Sequence, residues 1–137
     1  MGKTTVTLRL TNNRDAILAE AGAIPAEQVR RAEIEAIVDT GATMTVLPKT
    51  VADQLGLPVT GQTGVRYADM RSVQRDIVSQ LTIDLLGRRE VFNAMVEPAR
   101  TNALLGVVVL ETLDFLVDPK NNTLRPRDPN IIITEVE

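Results

Sequence analysis

Short stretches of alternating apolar and polar residues run through most of the chain, as is typical of half-buried strands. The cleanest example is residues 5–11, in which Val6, Leu8 and Leu10 fall on one face. Gly, Pro and Asn residues separate these stretches and mark turns. Strands are predicted at residues 5–11, 29–39, 43–47, 77–85, 90–96, 103–106, 115–117, 123–125 and 131–134, with a strand pair at 65–78 whose tip is residues 68–71. This series favours an all-β barrel with one or two short helices.

Signals for helices are fewer. Pro48 stands where a helix begins, Val51 and Leu55 lie four residues apart on one side, and Gly56 stands where the helix ends. Elsewhere β-branched residues leave the periodicity undecided. Three further segments are assigned from local composition: residues 107–113 as helix or strand, residues 16–23 as a strand or one helical turn, and residues 58–64 as loop.

The length of 137 residues suits a single domain with one hydrophobic core. The chain has no repeat of fixed period and no low-complexity segment. We predict that the domain spans residues 1–127 and is followed by a C-terminal tail or strand at residues 128–137. An exposed tail and a strand at an interface both fit residues 131–134, and the strand is favoured because three exposed isoleucines would promote aggregation.

The composition removes several kinds of chemistry. The chain contains no His and no Cys, which excludes Ser-His-Asp and Cys-His mechanisms, His-based zinc sites and disulfides. Carboxylates, Lys, Tyr and hydroxyl groups remain as reactive groups. The net charge of −3 and the small aromatic content of one Tyr and two Phe argue against a nucleic-acid partner.

Membrane and secretion signals are also weak. The longest apolar run, residues 103–110, is too short to span a bilayer. The N-terminus lacks the apolar core of a signal peptide. A cytoplasmic location without membrane contact is therefore expected.

The most informative stretch runs from Glu35 to Pro48, where an apolar strand enters Asp39-Thr40-Gly41 and a second apolar strand follows. By alternation, Asp39 lies on the face opposite Ala32, Ile34, Ala36 and Val38, which is consistent with a carboxylate that points into a cleft. A buried unpaired carboxylate costs several kcal/mol or more, so a functional use is favoured. The alternative is an Asp that merely caps a turn.

This stretch resembles the catalytic loop of retropepsin-like aspartic proteases, the single-lobe kind of bacterial type. Further features resemble the same family in order and spacing, over about residues 29–125. They are Leu47-Pro48 with the helix to Gly56, Tyr67-Ala68-Asp69 in the place of the flap hairpin, Leu104-Leu105-Gly106 beneath the active loop, the single helix at residues 107–113, and closing strands at residues 115–124.

The resemblance implies a closed β-barrel of the acid-protease fold, an aspartic endopeptidase activity, and no cofactor or metal. Asp39 would be catalytic, and Thr40, Gly41 and Ala42 would support its loop. Thr40 would also form a hydrogen bond across a dimer axis. Four flap residues would contact a peptide or unfolded protein substrate: Tyr67, Ala68, Asp69 and Met70.

Aspartic proteases need two neighbouring carboxylates that share one proton, because like charges so close cannot both ionise. This chain has a single Asp-Thr-Gly sequence. The second carboxylate is therefore expected from a second copy, in a symmetric homodimer whose two Asp39 residues face each other. A water between them would attack the peptide bond.

Two departures from the family pattern stand out. Met70 occupies the flap tip, where the family usually carries glycine, and Val107–Val109 follow Gly106, where the family often places a polar residue. The alternative function is a retropepsin-like dimer that binds peptides without cutting them, because the fold alone does not distinguish it from a protease. For Tyr67, a core or interface role is the alternative to substrate contact.

Overall fold

The computed structural model describes residues 3–137, so the first two residues of the predicted domain lie outside the described part. The strands are β1 (Thr5–Asn12), β2 (Arg31–Val38), β3 (Thr45–Pro48), β4 (Val59–Arg66), β5 (Ser72–Leu85), β6 (Arg88–Glu97), β7 (Ala103–Leu105), β8 (Phe115–Asp118) and β9 (Thr123–Pro126). The helices are α1 (Asn13–Glu20), α2 (Lys49–Leu55) and α3 (Val107–Leu113), with a 3₁₀ turn at Ala26–Gln28.

Six strands close into a barrel in the order β1-β2-β7-β3-β6-β5, and pairing of β5 with β1 completes the ring. Strand β4 pairs with β5 and extends beyond the barrel, while β8 and β9 form a separate hairpin. The large side chains inside are almost fully buried, among them Leu8, Leu10, Leu81, Ile83, Leu85 and Leu105. The predicted all-β barrel is confirmed, with three short helices instead of one or two.

Alternation along β2 sorts its residues as predicted. Ala36 belongs to the buried core, and Ala32, Ile34 and Val38 pack against it. Ile37 is half-buried on the other face. The residue after β2 that continues this second face is Asp39, so its side chain leaves the barrel wall on the side away from the core.

A row of apolar residues crosses the same outer face in register. Ile37 on β2 pairs with Leu104 on β7, which pairs with Val46 on β3. Val46 pairs with Met95 on β6, and Met95 pairs with Ile77 on β5. We call these five residues the outer apolar row. Because paired residues point to the same side of a sheet, the row forms a continuous apolar strip.

The helices follow local signals. Pro48 precedes α2, and Gly56 ends it in the left-handed conformation with φ of 61°, as predicted. The ambiguous residues 16–23 lie partly in helix α1, which begins because the Asn12 side chain accepts a hydrogen bond from the Asp15 N–H. No helix within residues 3–137 is long and apolar enough to cross a bilayer.

The hairpin formed by β4 and β5 corrects one prediction. Residues 58–64 were expected to be a loop, but β4 begins at Val59. The residues lack apolar alternation because most of β4 is exposed, and pairing with β5 makes it a strand. Strand β5 has a bulge between Val78 and Leu81, where Gln80 has a φ of 62°. This bulge separates the outer half of β5 from the half that closes the barrel.

The C-terminal residues also differ from expectation. Residues 131–137 are exposed and form neither helix nor strand in the single chain, so the strand predicted at residues 131–134 is not formed there. Ion pairs hold the segment instead. Arg127 pairs with Asp114 at 2.9 Å and with Glu135 at 3.0 Å, and the Ile133 N–H donates to Asp114. These contacts satisfy backbone groups that a strand would otherwise pair.

Candidate active site

The Asp39 loop is a tight turn whose hydrogen bonds are made by the backbone and by the Asp39 carboxylate. The Asp39 N–H donates to the Leu105 carbonyl at 3.0 Å, and the Ala42 N–H donates to the Asp39 carbonyl at 3.1 Å. The Gly41 N–H donates to Asp39 Oδ1 at 2.9 Å. A Cβ on Gly41 would lie 3.2 Å from that same oxygen, so glycine lets the chain turn closely around the carboxylate.

The segment after β7 clamps this loop from below. The Val107 N–H donates to the Ala42 carbonyl at 2.8 Å, and the Val108 N–H donates to the Thr43 carbonyl at 3.2 Å. These donors belong to the first turn of α3, where N–H groups have no partner inside the helix. The loop carbonyls thus take the place of a side-chain cap, which Gly106 cannot supply. These backbone contacts join α3 to the loop without a polar side chain at residues 107–109.

Gly106 crosses the loop at very short range. A Cβ at this position would lie 2.5 Å from the Met44 carbonyl carbon and 2.7 Å from the Thr43 carbonyl oxygen. The Gly106 N–H donates to Thr45 Oγ1 at 3.1 Å, and Thr45 is buried to 1% exposure. Sequence reasoning missed Thr45. Its signal was a hydroxyl residue at the start of an otherwise apolar strand.

A cavity of about 310 Å³ lies on the same face of the sheet as Asp39. Three members of the outer apolar row, Val46, Met95 and Leu104, line it, together with Val65 from the hairpin. Leu104 pairs with Ile37, which is two residues before Asp39 and therefore shares its face. The Asp39 carboxylate thus stands at one end of an apolar strip, and the cavity occupies the middle of that strip.

A network of three side chains closes the cavity on its hairpin side. The Tyr67 hydroxyl donates to Glu97 Oε2 at 2.5 Å, and Arg75 Nε donates to Glu97 Oε1 at 2.8 Å. Glu97 ends β6 and is only 6% exposed. The network therefore fastens the β4–β5 hairpin to the barrel wall.

Protonation in this network favours the observed contacts. Burial raises the pKa of Glu97, but the hydrogen bonds from Tyr67 and Arg75 outweigh burial, and the net shift is downward. The hydrogen bond to Glu97 raises the pKa of the Tyr67 phenol, and burial adds to this rise. The carboxylate is therefore held ionised and the phenol is held protonated.

The four predicted flap residues occupy two different places. Tyr67 lines the cavity, and the Arg71 guanidinium lies 4.7 Å from the centre of its ring. Ala68, Asp69 and Met70 are exposed in the turn, away from the cavity lining. Their contact with a substrate stays a prediction.

Met70 has a φ of 69°, in the left-handed region that favours glycine. The Met70 N–H donates to the Tyr67 carbonyl at 3.0 Å and closes the turn. Methionine at the hairpin tip, where the family usually carries glycine, therefore adopts the backbone conformation that glycine favours. Its side chain is 74% exposed.

The structure brings together residues that lie far apart in the sequence. Glu97, Arg75, Arg71 and Arg100 line the cavity, yet none of them was predicted as a site residue. Glu97 follows an apolar strand and precedes a proline, which was the available signal. Within residues 3–137, no group of three or more Asp or Glu side chains is placed to hold a metal ion.

Comparison with known proteins adds one match. The family model of the gag-polyprotein putative aspartyl protease matches residues 27–112. This range begins in the 3₁₀ turn before β2 and ends in α3, so it contains the Asp39 loop, the β4–β5 hairpin and Gly106. No curated protein matches the chain. The resemblance drawn from the sequence is confirmed at the level of the family.

Proposed function

Because this chain belongs to the gag-polyprotein aspartyl protease family, we propose that it is an aspartic endopeptidase that acts as a symmetric homodimer. The observation that supports this most directly is the Asp39 turn. It places a carboxylate outside the core, at the end of the outer apolar row. An extended peptide can lie along such a strip with its backbone close to the carboxylate.

The homodimer follows from the number of carboxylates that the chemistry needs. One chain supplies one Asp-Thr-Gly sequence, and a two-fold axis through the loop would bring a second Asp39 opposite the first. Thr40 is exposed beside Asp39, which suits the proposed hydrogen bond across the axis. Ala42 and Thr43 would keep each loop in place through their carbonyl contacts with α3.

In the proposed mechanism, the two Asp39 carboxyl groups share one proton. The ionised carboxylate takes a proton from the water as that water attacks the scissile carbonyl carbon. The protonated carboxyl group donates its proton to the carbonyl oxygen, so a neutral tetrahedral intermediate forms. When the C–N bond breaks, the carboxyl group that took the water proton gives a proton to the leaving nitrogen. The other carboxylate takes a proton from a hydroxyl group of the intermediate, so the acid and amine products leave and the pair again holds one proton.

Substitution of Asp39 by Asn tests the activity. We expect Asp39→Asn to abolish cleavage of an unfolded protein between pH 4 and 7 while the fold persists, because the amide matches the carboxyl group in shape but cannot cycle a proton. Asp53→Asn is the matched control, since Asp53 lies on the exposed surface of α2 and forms an ion pair with Lys49. Absence of cleavage by the wild type would favour the peptide-binding alternative. Cleavage by pure Asp39→Asn protein would show that Asp39 is not the catalytic residue.

A mixing experiment tests the shared pair of carboxylates. Wild-type chains are refolded with increasing amounts of Asp39→Asn chains, so that subunits pair at random. If mixed dimers are inactive, activity follows the square of the wild-type fraction. A linear decrease would mean that each subunit works alone. Dilution supplies a second measurement, because a dissociating dimer loses specific activity by mass action.

A further inference from the structure

The cavity beside the outer apolar row combines apolar walls with an excess of positive charge. Its walls are the aliphatic and thioether side chains of Val46, Val65, Met95 and Leu104. Three arginines reach its lining, whereas Glu97 is the one carboxylate among the lining residues. Ligand pockets combine apolar walls with a few polar or charged groups that orient the ligand, so these arginines are placed to orient an anionic one.

The charge of Glu97 is already compensated. One of its oxygens accepts from Arg75 and the other accepts from the Tyr67 hydroxyl. Arg75 is thereby committed to the network, and its side chain is only 25% exposed. The charges of Glu97 and Arg75 therefore cancel, and the net positive charge of the cavity comes from the two remaining arginines.

Those two arginines have weak partners. Arg71 lies over the Tyr67 ring and approaches Asp69 only to 3.9 Å, in a pair whose two side chains are about two-thirds exposed. The Arg100 Nε donates to the Asn102 carbonyl, and Arg100 forms no ion pair with another residue of the described part. Both guanidinium groups thus retain donors for an anionic group in the cavity.

We propose that this cavity selects a glutamate side chain of the peptide substrate, a specificity that rests on the proposed protease function. The methylene groups of glutamate would pack against Val46, Met95 and Leu104, and its carboxylate would accept hydrogen bonds from Arg100, with support from Arg71. A volume of about 310 Å³ has room for one side chain of this size. Aspartate has one methylene fewer and fills the apolar part less well.

Paired peptides that differ only by Glu or Gln at one position test the proposal. In a set of such pairs, the Glu or Gln is placed at each peptide position in turn, which identifies the position whose side chain binds in the cavity. At that position we expect wild-type protein to prefer Glu over Gln by about tenfold in kcat/KM, because the hydrogen bonds are charge-assisted but partly exposed to solvent. The preference should weaken as salt is added. Equal cleavage of every pair would overturn the proposal.

Variants assign the preference to the cavity. Arg100→Gln should bring the Glu to Gln ratio close to one, and Arg100→Lys should keep part of it. Arg14→Gln is the matched control, since it removes the same charge from the exposed face of α1 and should leave the ratio unchanged. If the preference for Glu survives in Arg100→Gln, or disappears in Arg14→Gln, then Arg100 in the cavity does not recognise the substrate carboxylate.

Binding measurements separate this proposal from the catalytic one. The same peptide pairs are titrated into Asp39→Asn protein by calorimetry, which needs no cleavage. Tighter binding of the Glu peptide that is lost in the Asp39→Asn, Arg100→Gln double variant supports the cavity even if the wild type cuts nothing. Equal affinities for Glu and Gln peptides would reject the specificity while leaving the protease function standing.

Discussion

The Asp39 loop and the β4–β5 hairpin flank the same apolar strip but are held by different kinds of contact. Backbone hydrogen bonds from Val107 and Val108 and the close crossing of Gly106 hold the loop. The hairpin is fastened by ionisable side chains, through Glu97, Tyr67 and Arg75. The loop therefore depends on the absence of a side chain at one position, whereas the hairpin depends on the presence of three.

This difference suits two different tasks. The backbone hydrogen bonds between the loop and α3 contain no titratable group and few rotatable bonds, so they hold the loop in place. Side-chain contacts can break and form again, so under the proposed function they suit a hairpin that opens to admit and release a peptide. Three variants and a change of pH test the two kinds of contact.

Gly106→Ala attacks the loop contact directly. The added Cβ would meet the Met44 carbonyl carbon at 2.5 Å, so the loop or α3 must shift, at a cost of about 3 kcal/mol in the free energy of unfolding. Chemical denaturation measures this cost. Gly64→Ala is the control, because a Cβ there meets nothing within 4 Å and should change stability by about 0.5 kcal/mol or less. Equal effects of the two variants would show that Gly106 is not a close crossing.

Glu97→Gln weakens the contacts between the hairpin and the barrel while preserving the shape of the side chain at residue 97. Loss of the charge removes the ion pair with Arg75 and weakens the bond from Tyr67, at a cost of about 2 kcal/mol. Hydrogen exchange should show faster opening of the hairpin at residues 63–75, with the Asp39 loop unchanged. Asp76→Asn serves for comparison, since its hydrogen bond with Gln62 is exposed. Equal acceleration in loop and hairpin would refute their independence.

Changes of pH should act on the hairpin through Glu97 and Tyr67. The folded-state pKa of Glu97 is lowered, so its contribution is fully present above about pH 4.3 and is lost as the pH falls through the folded value. The pKa of Tyr67 is raised, so its contribution is fully present below about pH 10 and is lost as the pH rises through the folded value.

Tyr67 is the one tyrosine in a chain without tryptophan, so its ultraviolet absorbance reports its ionisation directly. We expect the titration to occur at higher pH than in the denatured chain, and the difference to shrink in Glu97→Gln. A titration midpoint equal to that of the denatured chain would show that the hydrogen bond to Glu97 is absent in solution.

Met70→Gly should have the smallest effect and the opposite sign. Removing the Cβ relieves a left-handed conformation with φ of 69°, which offsets the greater flexibility of glycine in the unfolded chain. A stabilisation of about 0.5 kcal/mol is expected in thermal unfolding. Ala68→Gly should instead destabilise slightly, since Ala68 does not have a positive φ. A loss of stability in Met70→Gly would mean that the methionine side chain makes a contact of its own.

Sequence reasoning succeeded where the pattern is local. The alternation before Asp39 assigned the core-facing residues of β2 correctly, because side-chain direction in a strand depends only on position. Pro48 and Gly56 marked the limits of α2, because each acts through its own backbone conformation. Local chemistry was sufficient in these cases.

Sequence reasoning failed where a partner distant in the chain decides the structure. Residues 107–113 were undecided between helix and strand, and α3 forms with its first N–H groups bound to the loop after Asp39. The partners of Glu97 could not be predicted from its local sequence, since Tyr67 and Arg75 lie 30 and 22 residues before it. The apolar and polar pattern of β6 does not indicate that Glu97 forms these hydrogen bonds.

The bulge in β5 separates the structure of the hairpin from that of the barrel. Gln80 interrupts the pairing of β5 with β6, so strain or a change of length on the hairpin side need not be transmitted to the register at residues 81–85. Insertions between Arg66 and Ser72 should therefore leave barrel closure by β1 and β5 intact. The hairpin can therefore change in length or sequence while the barrel keeps its register.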